Sequence, residues 1–592
     1  MARKKPLEKE VKAFDLARVA LGELEADIAI INGTLVNVYT GELQYGDTIL
    51  VKGDKIAYVG KNAQRSIGPN TRVIDAGGKT VVPGFIDTHN HMDWFLLPDH
   101  LIRYAMQGGT TTVIAEVDAI AFLLGYRGIV ELIRAMNNQP IKIFISVPPM
   151  VTNSPLSDAH ALSISEVRKL LRRKEVVALG ESYWTTVVEG DTRILDLLEE
   201  AKKAGKKIEG HSAGARDNKL QAYTSLGITS CHEPTTADEV LERLRLGIHV
   251  LVREGEVRRE LEEIARIKEE TIDFRLMSLA SDGPGPHQLL NNGYMEYVVQ
   301  KAIDLGFSPV TAFQMASLNA AQRFGLDDYI GGIAPGKYAD IVIIPDLKIV
   351  RADYVISKGK LVSEKGHPIG EPGNHTFPEW MLKTVHLPGK LTANDFAVKV
   401  DGAYRCVNTR IIDMVSTIVS REAIVELSVS DGRVLADKDR DIIKVAAIER
   451  IHEPGKRFVG FIRGLGIKSG AIATSTMWDT TDIGVVGAND GDMAIAVNRI
   501  KELDGGLVVC NRGKVIAEIA LPVAGLFCTD PLEIMVAKLN RIQQAAADMG
   551  CTSPDIRLTL SVLSTAAIPF LRICESGLKD LKKNRLVDLI VE

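Results

Sequence analysis

The sequence predicts an α/β protein: a (β/α)8 barrel with a small β domain built from both of its flanks and an additional C-terminal α/β domain. Three observations predict it. Apolar β-rich runs alternate with helical patterns through residues 81–330. Similar short-strand texture stands on either side of that stretch, at 26–60 and 338–362. A further α/β region follows a Pro-, Gly- and His-rich segment.

In chain order, the charged N-terminus (1–25) reads as a short amphipathic helix. It holds no apolar core long enough for a signal peptide. Residues 26–60 read as short strands, with Asn32-Gly33 and Gly53-Asp54 placed as hairpin turns are. Residues 26–80 plus 331–365 are therefore expected to form one small β domain, with the middle inserted into it.

Within 81–330 there are eight strand candidates: TVVPGFIDTH, TTTVIAEVD, IKIFISVP, EVVALGES, KKIEGHS, GITSCHE, IHVLVREG and FRLMSLASDG. Helical stretches such as RGIVELIRAMNN, SISEVRKLLRRK, ILDLLEEAKKAG and ADEVLERLRLG lie between them. This is the size and rhythm of a (β/α)8 barrel, with an open doubly wound sheet as the alternative. Residues 366–399 read as a linker and 400–592 as the C-terminal domain.

Composition narrows the function. The 592 residues are 46% hydrophobic and 25% charged, with a formal net charge of -5 and no basic tail. That excludes a nucleic-acid footprint. No run reaches the roughly 18 apolar residues of a membrane span. The six cysteines, Cys231, Cys406, Cys510, Cys528, Cys551 and Cys574, have no C-x-x-C spacing. They fit a reducing compartment, so a cytoplasmic protein is expected.

The chemistry-bearing residues follow the strand candidates. His89 and His91 end the first, Glu181 the fourth, His211 the fifth, His232 the sixth and Asp282 the eighth. In a barrel that edge carries the active site. Residues i and i+2 of a strand share a face, so His89 and His91 can grip one ion. Glu181 has two oxygens and suits bridging. His211 and His232 would serve a second ion. Asp282 is placed to bind metal and take a proton from an activated water. Each residue alone has a bland reading, as a packed histidine or a helix cap. Six together, at strand ends and in barrel order, point to a metal-dependent hydrolase. Manganese, iron and zinc all suit such donors.

These residues resemble a known family. PGFIDTHNH (83–91) and GGIAPGKYADIVII (331–344) are similar to the opening and the return of the amidohydrolase superfamily barrel. IEGHSAG (208–214), the stretch 228–255, MASLNAAQRFGL (315–326), FVGFIRGLGIKSGAIATS (458–475) and VVGANDGDMAIAVN (485–498) are similar to adenine deaminases. The resemblance covers nearly the whole chain. It implies a two-metal site, usually manganese or iron, bridged by glutamate, here Glu181. It implies hydrolytic deamination of adenine, a cyclic amidine, to hypoxanthine and ammonia. A bridging hydroxide would attack C6 and Asp282 would shuttle a proton. Glu233 would either protonate a ring nitrogen or orient the metal ligands. A homo-oligomer acting on a small heterocycle is implied as well.

The chain departs from the family pattern in three places. Met92-Asp93-Trp94 replaces I-E-S after the histidine pair, Glu116-Val117-Asp118-Ala119-Ile120 replaces D-P-H-E-I, and Trp478-Asp479-Thr480-Thr481-Asp482 replaces H-D-S-H-N. Asp93, Trp94, Asp118, Tyr183 and Trp184 are therefore the expected substrate-side residues, the aromatic ones either stacking on a planar ring or packing. Two other readings stay open: opening of a cyclic amide in a purine-like or hydantoin-like ring, and a non-enzymatic metal-binding homologue.

Overall fold

The structure, a computed structural model, describes residues 12–591. Eight parallel strands carry the central region: β1 (Phe85–His91), β2 (Thr110–Glu116), β3 (Lys142–Val147), β4 (Val176–Tyr183), β5 (Lys207–His211), β6 (Ser230–Cys231), β7 (His249–Arg253) and β8 (Met277–Ala280). Strands β1 to β5 form one parallel sheet in sequence order and β6 to β8 a second. Two bonds link the open edges into a TIM-barrel-like ring. The Thr88 hydroxyl donates to Leu279 O at 2.8 Å, and the Asp282 amide to His89 O at 2.9 Å. On the other side, the Gly210 amide donates to the Ser230 hydroxyl at 3.2 Å.

Helices cover the outside, which is why the strands are apolar along their whole length: every residue of Thr110–Glu116 is buried. The helices show the matching one-sided pattern. Thr192–Lys203 buries Ile194, Leu197, Leu198 and Ala201, spaced three and four apart. Ile164–Leu171 starts with a reciprocal cap, in which the Ser163 amide donates to Glu166 and the Glu166 amide to the Ser163 hydroxyl.

The run TVVPGFIDTH, expected as one strand, is two. Thr80–Pro83 pairs with Thr34–Leu35 and with Ile341–Ile344 in a seven-stranded sheet, and only Phe85–His91 enters the barrel. That sheet therefore mixes strands from both flanks. A four-stranded sheet, containing Ile28–Ile31 and Arg72–Asp75, stands beside it. Gly53-Asp54 does join paired strands, Thr48–Lys52 and Lys55–Gly60. Asn32-Gly33 is no hairpin: Ile28–Ile31 and Thr34–Asn37 belong to different sheets. The chain switches sheets there through a left-handed Asn32 (φ 63°). Gly33 is required because a Cβ would lie 2.7 Å from Val81 Cγ2.

Of the expected N-terminal helix, Ala13–Ala20 is helical, and residues 1–11 lie outside the described residues. The expected linker is partly structured, with His367–Pro368 in the seven-stranded sheet and Val398–Lys399 in the next one. The C-terminal region is built on a ten-stranded, largely antiparallel sheet, with helices Asp490–Glu502 and Leu532–Asp548 packed on it. It reaches the barrel directly: Phe527–Cys528 pairs with Phe95–Leu96, just past β1. Among the described residues, no helix is long and apolar enough to cross a membrane.

Candidate metal and substrate site

Strand ends place the ligand-type residues around one carboxylate. β1 delivers His89 and His91, and β4 delivers Glu181. Gly180 precedes Glu181 because a Cβ there would lie 2.3 Å from Glu116 Oε2. Buried Asp87 fixes the β1 end to β8 by accepting from the Ser281 amide (3.0 Å), the Tyr294 hydroxyl (2.6 Å) and the Asn90 side chain (3.0 Å). Asp282 follows β8 in a left-handed conformation (φ 55°) that turns its carboxylate over the pair.

Glu181 Oε1 lies 3.1 Å from His89 Nε2, 3.1 Å from His91 Nε2 and 3.3 Å from His232 Nε2. Its Oε2 lies 3.1 Å from His211 Nδ1. Asp282 Oδ1 is 3.3 Å from His89 Nε2 and 3.5 Å from His91 Nε2. Two groups with metal-ligand spacing result: His89, His91, Glu181 and Asp282, and Glu181, His211 and His232. Glu181 belongs to both.

The electrostatics favour bound positive charge. Burial alone would raise the Glu181 carboxyl, but His232, His211 and His89 hold it well below the usual range. Conversely, burial opposes but Asp282 and Glu181 raise His89 well above an ordinary imidazole. Two buried ring nitrogens that face Glu181, His89 Nε2 and His211 Nδ1, lack well-formed hydrogen bonds, as metal-ligating nitrogens would. Imidazoles and carboxylates are the donors first-row divalent ions take, so the residues fit divalent metal binding.

Arg253, at the end of β7, braces the far side. Its guanidinium contacts the Glu233 carboxylate, Asp282 Oδ2 (3.2 Å) and Glu260 Oε1 (3.2 Å). Burial would raise Glu233, yet Arg253, His211 and His232 keep it well below its ordinary value.

A cavity opens above these groups. His91, Asp93, Trp94, Asp118, Tyr183 and Glu233 line its lower part. Burial pushes Asp93 up to about 6. Burial, with Glu116 and Glu181 nearby, lifts Asp118 well above the carboxylate range. The C-terminal region roofs the cavity with Ile418, Trp478, Leu558, Val562 and Ile568. Trp94 meets Trp478 edge-on at 5.3 Å.

The expected substrate-side residues divide. Trp94, Asp118 and Tyr183 face the cavity. Asp93 also lines it, but its Oδ2 accepts the Ile120 amide (3.0 Å), in the first turn of the helix Asp118–Met136 that follows β2. Trp184 lies in a neighbouring cleft, where its indole N–H donates to Ala213 O at 2.8 Å. Arg253 was not among the expected residues, although it directly follows an apolar run just as the ligands do. Asp479, within the divergent stretch 478–482, lines the cavity as well.

Residues 80–362 match the Amidohydrolase family, and residues 417–585 match the Adenine deaminase C-terminal domain. Over 584 residues the chain is 34% identical to an adenine deaminase of Clostridium botulinum (strain Langeland), covering 98% of this chain and 97% of the relative. The chain belongs to the adenine deaminase family. Family relatives span bacteria and archaea. The adenine deaminase of Moorella thermoacetica is 35% identical, covering 97% of this chain and 98% of its own. That of Cenarchaeum symbiosum is 36% identical, covering 99% and 96%.

Proposed function

We propose that the chain hydrolyses adenine to hypoxanthine and ammonia. One observation carries this reading: a single buried carboxylate, Glu181, shared by two ligand groups in a family member similar to adenine deaminases along its whole length. His89, His91 and Asp282 would hold one divalent ion and His211 and His232 the other, with Glu181 between them. Manganese is the proposed metal, ahead of iron or zinc. When bound, such ions supply Lewis-acid charge that activates a water molecule near neutral pH.

The chain's own residues supply the rest. Water adds to C6 of the purine, and one of its two protons passes to a ring nitrogen. The C6–N bond then breaks, the C6 carbonyl forms, and the amine leaves as ammonia with the other proton of the water. Asp282, held as a carboxylate by Arg253, accepts and returns that proton. Glu233 shares the same guanidinium and stands beside His232, placed to pass a proton at the ring edge. Trp94 and Trp478 bound the planar ring and exclude water. We further propose a division into a small β domain (26–80 with 331–365), a barrel and a C-terminal domain that closes the site.

The test is direct. Protein stripped by a chelator and reloaded with Mn²⁺, Fe²⁺ or Zn²⁺ is incubated with adenine, and ammonia and the ultraviolet spectrum are followed. Ammonia should appear in step with hypoxanthine, with about two metal equivalents bound per chain. A fully metal-loaded protein that leaves adenine intact would overturn the reading.

A further inference from the structure

The cavity roof is apolar apart from Asp479 and Thr565. Of the cavity-lining groups that the C-terminal region contributes among the described residues, Asp479 alone is ionisable. Its placement is heavily specified. The Thr565 hydroxyl (2.6 Å) and the Ala566 amide (3.0 Å) both donate to Oδ2. The Thr152 hydroxyl, on the loop after β3, donates to the Asp479 carbonyl oxygen at 2.5 Å. The backbone is left-handed (φ 61°), which aspartate tolerates better than most residues. Both donors to the carboxylate go to Oδ2, so Oδ1 stays available to a ligand. The residue is 8% exposed, and it lines the same cavity as His91, Glu181, His211 and Asp282. A base bound in that cavity lies between the ligand cluster on one wall and Asp479 on the other.

A purine whose C6 sits over the cluster directs its imidazole ring away from it. That ring carries one N–H, a donor that costs free energy if buried unpaired. We propose that Asp479 is a specificity-determining residue that accepts the imidazole N–H of the purine, so that the site selects a free base over one substituted at that nitrogen. The proposal rests on the adenine reading above. A substituent at the nitrogen removes the donor, strands a buried acceptor and meets a segment held from three directions. Sites built around such a hydrogen bond reject analogues lacking it by large factors.

The experiment compares adenine with 9-methyladenine on the metal-loaded wild type and on Asp479→Asn. The amide oxygen can keep the Thr565 and Ala566 bonds while its NH₂ faces the cavity as a donor. The wild type should favour adenine by about 10²-fold or more in kcat/KM. In the variant, adenine kcat/KM should fall by about 30-fold or more, mainly through KM. 9-Methyladenine should be unaffected and metal content unchanged. Thr565→Val, which leaves the carboxylate in place but loosens it, should give a smaller loss in the same direction, and serves if Asp479→Asn fails to fold. Equal losses for both substrates, or a preference that survives substitution, would overturn the proposal while leaving adenine deamination intact. Calorimetric binding separates the two readings. A wild type that binds adenine without releasing ammonia, with its preference over 9-methyladenine erased in Asp479→Asn, would sink deamination and support the role of Asp479. A wild type that neither binds nor converts adenine would sink both.

Discussion

The floor and the roof of the cavity are built on opposite principles. On the floor, four imidazoles and two carboxylates crowd together at 3.1–3.5 Å, each delivered by a barrel strand end. The roof is assembled from residues 418, 478–479 and 558–568, and its groups form an apolar cluster with Trp94. Charge concentrated on one wall and apolar surface on the other separates two tasks: the floor concentrates the means of reaction, and the roof decides what fits. Substitutions should divide accordingly, with floor changes altering metal content and kcat, and roof changes altering KM and substrate choice.

The largest effect is expected at Glu181. Glu181→Gln keeps the shape but removes the one charge all four imidazoles share. Bound metal should drop to one equivalent or fewer, and kcat should fall by about 10³-fold or more, equivalent to about 4 kcal/mol of barrier. Elemental analysis beside a steady-state assay reads both. Full metal occupancy with kcat within a few-fold of wild type would remove Glu181 from its bridging place and break the contrast.

Arg253 comes next. It touches two carboxylates that face the reacting centre, so Arg253→Met leaves both buried without their counter-charge. Breaking a buried pair from one side costs about 3–5 kcal/mol of stability. Loss of a group that orients ligands costs about 10–100-fold in activity or metal affinity. Arg253→Lys should recover less than half of the lost kcat on a logarithmic scale, because the guanidinium meets Glu233 and Asp282 through one nitrogen and is anchored to Glu260 through the other, a planar arrangement that a single ammonium cannot reproduce. Equal activity in the Lys and Met variants would show that the charge by itself contributes nothing there, and full recovery by Lys would show that the charge alone suffices.

The same contrast explains what the sequence makes legible. His89, His91, Glu181, His211, His232 and Asp282 stand at the ends of apolar runs, and a strand end is visible locally, so these six floor positions can be picked out without knowing the tertiary path. Arg253 obeys the same rule and escapes notice because a cation does not look like a ligand. Asp479 obeys no local rule. It reaches the cavity because a ten-stranded sheet and the segment holding Thr565 carry it there from far along the chain. Trp184 shows the reverse limit: one residue after Tyr183 on the chain, it turns into a different cleft and bonds Ala213. Asn32-Gly33 reads as a hairpin by composition, yet only strand pairing reveals that the two strands belong to separate sheets.

The smallest expected effect concerns how roof and floor are clasped. Glu256, on the loop after β7, pairs with Arg557 at 2.9 Å, on the roof helix Ile556–Ser561 that also carries Leu558. The Arg557 guanidinium lies 4.6 Å from the centre of the Trp94 ring, so one ion pair joins the two walls. Burial would raise Glu256, but His287 and Arg557 outweigh it and bring the carboxyl down from 4.5 to about 2. A carboxyl depressed in the folded state stabilises above its unfolded pKa, and that stability is lost as pH falls through the folded value. At pH 7, Glu256→Gln should therefore cost about 2 kcal/mol, lowering Tm by several degrees and raising KM a few-fold with kcat unchanged. Below about pH 4.5 the gap between variant and wild type should narrow, closing near pH 2. Paired thermal melts across that range read the clasp directly. A gap that stays constant with pH would mean that shape and packing, not the ion pair, hold the roof on the floor.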